Sequence, residues 1–257
     1  MSLHLIKYVL LAAFRDRMLW GVVAISLLGA CLSLFSGSAA IIEQDQFVIS
    51  YMAGGIRILS LMGLVLFVVF YIRRSFDARD VEFLLTRPIS RVSFVLSHVV
   101  AFSILSIMSA GFLALLLFFV VQGKNVPEGM MLWAFGVMFE YIIVSNTAFF
   151  FSMVLGSPVT AGLSTLGFYV LSRMMGGLLA ISDQVGNSAH AGVYKGLSHV
   201  MDVVSVIIPR LDLMAQTSWL IYGDAKISDW GFILLQGVVF LSLVVGATII
   251  DLKRKQF

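Results

Sequence analysis

Of the Asp, Glu, Lys and Arg side chains, three stand inside long apolar runs of this chain: Arg57, Glu140 and Arg173. Charge in hydrocarbon is costly, so such residues are functional candidates wherever a run crosses a membrane. One carboxylate and two guanidinium groups admit three uses. They can form a buried ion pair that fastens the fourth and fifth apolar runs together. They can line a polar cavity for a substrate, or the arginines can simply snorkel to the interface.

Other chemistries are excluded mostly by absence. Cys31 is the single cysteine and sits inside the first apolar run, so neither an internal disulfide nor a cysteine-based metal site is possible. His4, His98, His190 and His199 show no HExxH spacing, and Gly123-Lys124 lacks the remainder of a phosphate-binding loop. No GxSxG elbow occurs. The chain is therefore expected to hydrolyse no nucleotide and to bind no cofactor or metal itself. A membrane-embedded enzyme using Glu140, His98 or His199 as acid or base would need a second group at the same depth. His98 falls near the inner end of its run and His199 outside any run.

The elements that position these residues follow from composition. Of 257 residues, 60% are hydrophobic and 12% charged, and the mean hydropathy is +1.01. A soluble domain carries about 25% charged residues, so this chain cannot coat a water-facing surface of its own size. About 20 apolar residues cross a bilayer as a helix. Residues 18–42, 48–72, 92–121, 130–155, 159–180 and 230–250 each qualify, with Gly156-Ser157-Pro158 as a tight break. The long continuous runs argue against a barrel. Within these runs Arg57, Glu140 and Arg173 all fall in the outer half of the membrane.

Lys and Arg in short loops set the orientation. With the N-terminus inside, the inner segments hold Lys7, Arg15, Arg17, Arg73, Arg74, Arg79, Arg87, Arg91, Lys253, Arg254 and Lys255. The outer ones hold Lys124, Lys195, Arg210 and Lys226. This bias puts both termini in the cytoplasm, as an even number of spans requires. It also accounts for the net charge of +3, so no nucleic-acid partner is expected. The 17-residue lead before the first run argues against a cleaved signal peptide.

Residues 1–17 read as an interfacial helix, with Leu3, Leu5, Ile6, Val9, Leu10 and Phe14 in lipid and cations near anionic headgroups. Residues 181–229 are too polar to span. An apolar stripe of Leu197, Val200, Met201, Val204, Ile207 and Ile208 reads as an amphipathic helix ended by Pro209. A second short apolar piece covers 213–222. Backbone in lipid must be hydrogen-bonded internally, so this segment is interfacial, or re-entrant where protein covers it.

The inner loop 73–91 carries five arginines against Asp77, Asp80 and Glu82. Ser75 can cap a short helix over 76–85, Pro88 turns the chain, and Ser90 can cap the third span. A loop that merely sets topology needs no Phe76, Val81, Leu84 and Leu85. The helix therefore reads as a surface for a soluble partner.

At Glu82-Phe83-Leu84-Leu85-Thr86-Arg87-Pro88-Ile89-Ser90-Arg91 the chain resembles the permease subunits of type 2 ABC exporters. Their first cytoplasmic loop tends to read acidic residue, Leu pairs, Ser or Thr, any residue, Pro, Ile or Val, Ser, Arg. The plan fits over nearly the whole length, 1–257, as a single permease domain. Its expected fold is an all-α membrane protein of six transmembrane helices. An N-terminal interfacial helix, a coupling helix between spans two and three, and a re-entrant segment before span six complete it. One departure is Arg79-Asp80, where family members often carry Gly-Thr. The resemblance implies a location in the bacterial inner membrane and a separate cytosolic ABC ATPase carrying ATP and Mg. It implies a second permease copy, identical or related, and contact with the ATPase through Asp80, Glu82, Leu84, Leu85, Arg87, Pro88 and Arg91. An alternative is an ion-coupled secondary transporter that uses Glu140. The sequence shows no inverted repeat of the kind such transporters carry.

Overall fold

A run of twenty apolar residues can satisfy its backbone in lipid only as a helix or within a closed barrel. Six helices of this chain are long and apolar enough to cross a membrane: Trp20–Ser38, Asp45–Asp77, Arg91–Val121, Met130–Val154, Pro158–Ile181 and Ile227–Arg254. The structure is a computed structural model that describes residues 3–39, 44–78, 90–121, 129–186 and 208–254. No strand occurs among the described residues.

α1 (Leu3–Arg15) turns at Asp16 into α2 (Arg17–Ala39). α3 (Gln44–Ser50) passes through a π turn, Tyr51–Ile56, into α4 (Arg57–Asp77). α5 (Arg91–Val121), α6 (Met130–Val154) and α7 (Pro158–Gly186) follow. A 3-10 turn, Leu211–Leu213, and the short α8 (Ser218–Ile221) precede α9 (Ile227–Arg254).

α6 is the central helix, with α4, α5, α7 and α9 packed on it, while α2 leans on α4 and α1 on α5. Its buried side chains include Trp133, Tyr141 and Phe149. Polar ties cross the α5–α6 contact, where Ser106 and Ser145 share a hydrogen bond of 2.7 Å and Asn146 Nδ2 donates to Ser103 at 3.2 Å. His98 sits in an aromatic box at this contact, stacked on Phe149 and close to Phe94 and Phe102.

Hydrogen bonds and ion pairs gather several helix ends at the end of the bundle that holds α1. Arg74 pairs with Asp16, and Arg73 Nη1 donates to the Gly156 carbonyl at 2.6 Å. Arg91 Nη1 donates to the carbonyls of Leu252 and Lys253 at 2.9 and 3.2 Å. The start of α2, the end of α4, the start of α5, the α6–α7 turn and the end of α9 therefore share one end, in an up-and-down order. Ser90 caps α5, its Oγ accepting from the Ser93 N–H at 3.1 Å. Ser90→Ala is expected to cost about 1 kcal/mol, the usual worth of an N-cap, readable as a lower midpoint in thermal unfolding. Pro158 occupies the first position of α7, where its missing N–H is harmless.

The structure departs from the sequence reading at four points. Ser75 does not open a helix; it lies inside α4, donating to the Tyr71 carbonyl at 3.1 Å. α4 continues because Arg73 and Asp77 pair one turn apart at 3.0 Å and Phe76 packs on the core. The stripe of Leu5, Ile6, Val9 and Ala13 on α1 is buried in the protein rather than in lipid, because α1 packs on α5. Its opposite face leaves Leu3, Tyr8, Leu11 and Phe14 exposed. α7 runs six residues past 180, to Gly186, no proline intervening. The π turn before Arg57 has only the adjacent Gly54 and Gly55 as a hint in the sequence. Residues 187–207, with most of the expected amphipathic helix, lie outside the described residues.

Candidate functional site

The far-end half of the bundle, opposite α1, gathers the three intramembrane charges. Glu140 is fully buried on α6 and Arg57 is 2% exposed at the start of α4. Arg57 Nη1 stands 3.7 Å from Glu140 Oε2, and Arg173 Nη1 of α7 stands 3.6 Å from the same oxygen. Tyr169, one turn before Arg173 and so on the same face of α7, donates its hydroxyl to Glu140 Oε1 at 2.9 Å. The next residue on α6, Tyr141, donates to the Arg57 carbonyl at 2.8 Å. α4, α6 and α7 are joined through one carboxylate.

Above the carboxylate lies the segment before α9. Arg57 Nη1 donates to the Ala215 carbonyl at 2.6 Å, and Arg173 Nη1 to the carbonyls of Leu211 and Met214 at 2.5 and 2.8 Å. The segment needs these donors because it is short and irregular, and carbonyls in a water-poor interior are expensive to leave unpaired. Leu211, Met214 and Ala215 are fully buried, and Trp219 and Leu220 nearly so. These residues fold back into the bundle, while Tyr222 just after them is exposed; the sequence leaves 213–222 either interfacial or re-entrant. Ala215 takes a left-handed φ of 50°, a conformation that costs about 1–2 kcal/mol for a residue with a Cβ. This turn points its carbonyl at Arg57.

α6 is shaped to receive this segment. Gly129, Trp133, Gly136 and Glu140 recur at helical spacing and share one face. A Cβ at Gly136 would lie 2.5 Å from the Ala215 nitrogen, and one at Gly129 would run into the Trp219 carbonyl oxygen. Absent side chains at both positions let backbone approach backbone. Glu140 then lies one turn deeper, under the seat.

Two guanidinium groups face one carboxylate, and the carbonyl dipoles supply the remaining negative potential. Glu140 Oε2 makes no hydrogen bond, since both guanidinium nitrogens stand beyond hydrogen-bonding reach while bonding the carbonyls. Chemically the cluster is a latch: it holds an irregular segment in place and ties it to three spanning helices. The sequence reading singles out Arg57, Glu140 and Arg173, and the structure brings them together. It misses Tyr169 and Tyr141, although Tyr169 at i−4 from Arg173 is a usable signal. It also misses the glycine face of α6.

His98 lies apart from this cluster. Phe149, on which His98 stacks, is nine residues beyond Glu140 on α6, roughly 13 Å along the helix; His98 Nδ1 lies 3.0 Å from the Phe94 carbonyl. His190 and His199 fall outside the described residues, and Cys31 is exposed on α2. No group of three potential metal ligands occurs among the described residues. Asp80, Glu82, Leu84, Leu85, Arg87 and Pro88 fall outside them too, while Arg91 joins α5 to the end of α9. No protein-family model matches the chain, and no curated protein matches it either. Fold and site define a helical protein with six potential membrane spans and a charged latch beneath an infolded segment.

Proposed function

We propose that this chain is the permease subunit of a type 2 ABC exporter, lying in a bacterial inner membrane with both termini in the cytoplasm. The observation that carries the reading is the run from Glu82 to Arg91, between two spanning helices of a six-span plan. The end of α4 and the start of α5, which flank that run, lie at the same end of the bundle as α1. In this reading a cytosolic ABC ATPase carries ATP and Mg and grips the loop through Asp80, Glu82, Leu84, Leu85, Arg87, Pro88 and Arg91. Closure of the ATPase is transmitted to α4 and α5. A second permease copy, identical or related, completes the pathway. The infolded segment closes its outer mouth, and the latch at Glu140 sets how firmly. Alternating access requires two conformations that ATP distinguishes by binding one better.

The ion-coupled alternative assigns Glu140 as the ion site. It is less well supported, because two fixed guanidinium groups already flank that carboxylate.

The test is to tag the C-terminus, extract the protein in mild detergent and identify what co-purifies. A stoichiometric ATPase is expected, and Glu82→Ala or Pro88→Ala should strip it away and abolish ATP-dependent transport while leaving insertion intact. Full transport in either variant would sink the loop assignment. Absence of an ATPase at every detergent strength would move the assignment to the ion-coupled transporter.

A further inference from the structure

A polar recess and an apolar crevice both draw wall residues from the end of α1 and the start of α2. The recess, about 520 Å³, opens between the end of α1, the start of α2 and the last turns of α4. Arg15, Arg17 and Arg74 line it against one carboxylate, Asp16, which is paired with Arg74. Tyr8 and Ser75 add hydroxyl groups to its wall. Three guanidinium groups against one carboxylate make the recess cationic, and planar guanidinium forks match phosphate oxygens in pairs.

The crevice, about 200 Å³, is walled by Phe14, Trp20, Val22, Val23, Leu105 and Phe112. Phe14 and Trp20 form its lip: the indole Nε1 donates to the Phe14 carbonyl at 3.0 Å, and the two residues are 50% and 63% exposed. Recess and crevice share no wall residue, but neighbouring residues of α1 and α2 line both. Phe14 adjoins Arg15 in sequence, and Trp20 lies one turn below Arg17 on the same side of α2.

We propose that the α1–α2 corner binds one anionic phospholipid, its phosphate between Arg15 and Arg17 and an acyl chain beside Trp20 in the crevice. Each half of the site argues for the same occupant. A free phosphate has no use for an apolar crevice at the lip of a spanning helix, and neither has an acidic protein surface. A zwitterionic lipid brings its own cation to a recess already rich in them. An anionic headgroup with a hydrocarbon tail complements both halves, in the leaflet at the α1 end. The inference needs the chain to be embedded in a membrane and is independent of what it transports.

The test uses the full chain in phosphatidylcholine vesicles doped with either dibrominated phosphatidylglycerol or dibrominated phosphatidylcholine. Bromine quenches indole fluorescence on contact, and subtracting the signal of Trp20→Phe isolates Trp20. Several-fold stronger quenching by the brominated phosphatidylglycerol is expected, with the preference abolished in Arg15→Gln/Arg17→Gln. Both arginines are exposed, so this variant leaves the core untouched. Val23→Phe, which fills the crevice, should lower quenching by either lipid. Equal quenching in the unaltered chain, a preference that survives the arginine replacements, or no effect of Val23→Phe would each overturn the proposal. Native mass spectrometry of protein drawn from its own membrane supplies a second reading. A phospholipid adduct lost in the arginine variant supports the site. A protein adduct lost there, with no lipid adduct, would reassign the corner to a protein partner.

Discussion

Glu140→Gln is expected to destabilise the protein by about 3–5 kcal/mol, the range for removing one partner of a buried ion pair. The amide can still accept from Tyr169, so the hydrogen bond survives and the charge does not. Arg57, 2% exposed, is then left in the interior without an anion. Denaturant unfolding of the purified protein reads the loss. Adding Arg57→Gln to Glu140→Gln removes the stranded cation and should recover part of it, making the pair of replacements clearly non-additive. A Glu140→Gln protein as stable as the parent would mean that the three carbonyls balance both guanidinium groups alone. The latch would then need no carboxylate.

Gly136→Val is the second large effect, and it reaches the infolded segment without touching a charge. A single Cβ at this position would already stand 2.5 Å from the Ala215 nitrogen, and backbone cannot swing aside as a side chain can. Overpacking of this kind costs about 1–3 kcal/mol. The segment has to lift from α6, lengthening the bond from Arg57 to Ala215. In a Cys31→Ala background, Leu220→Cys is a suitable reporter, since Leu220 is 3% exposed. Its reaction with a water-soluble maleimide should be slow while Gly136 is kept. Gly136→Val should speed it by an order of magnitude or more, equivalent to about 1.4 kcal/mol of opening. Unchanged labelling would mean that the segment is held by its other contacts and that Gly136 is incidental.

How much can be read beforehand differs by the kind of force involved. The spanning helices follow from long charge-free runs, because lipid leaves the backbone few choices. Arg57, Glu140 and Arg173 announce themselves for the same reason: charge in such a run is costly, and these three share a depth. Tyr169 and Tyr141 carry no comparable signal, since an aromatic residue in a span is ordinary packing until its hydroxyl is seen to find a partner. The conformation of Ala215 is imposed by tertiary contacts and leaves no mark on local sequence. α1 shows a different limit. Leu3, Leu5, Ile6, Val9, Leu10 and Phe14, together with Leu11, cover most of its circumference, so periodicity cannot tell a neighbouring helix from lipid. The structure divides them between α5 and the outside. Ser75 misleads because a serine ahead of an apolar stretch is a fair cap signal, yet the Arg73–Asp77 pair and Phe76 packing carry α4 through it.

The nitrogen atoms that grip the infolded segment have a further property. Nη1 of Arg57 and Nη1 of Arg173 each bond a carbonyl of the segment, and each also faces Glu140 Oε2 from just outside bonding distance. Carbonyls and carboxylate therefore compete for the same donors. Withdrawing the segment does not strand either guanidinium. The carboxylate oxygen stands within a small side-chain shift and can take over as acceptor. Release is an exchange of acceptors rather than a loss of them. One pair of donors thus has two sets of acceptors within reach, the carbonyls it holds and the carboxylate behind them.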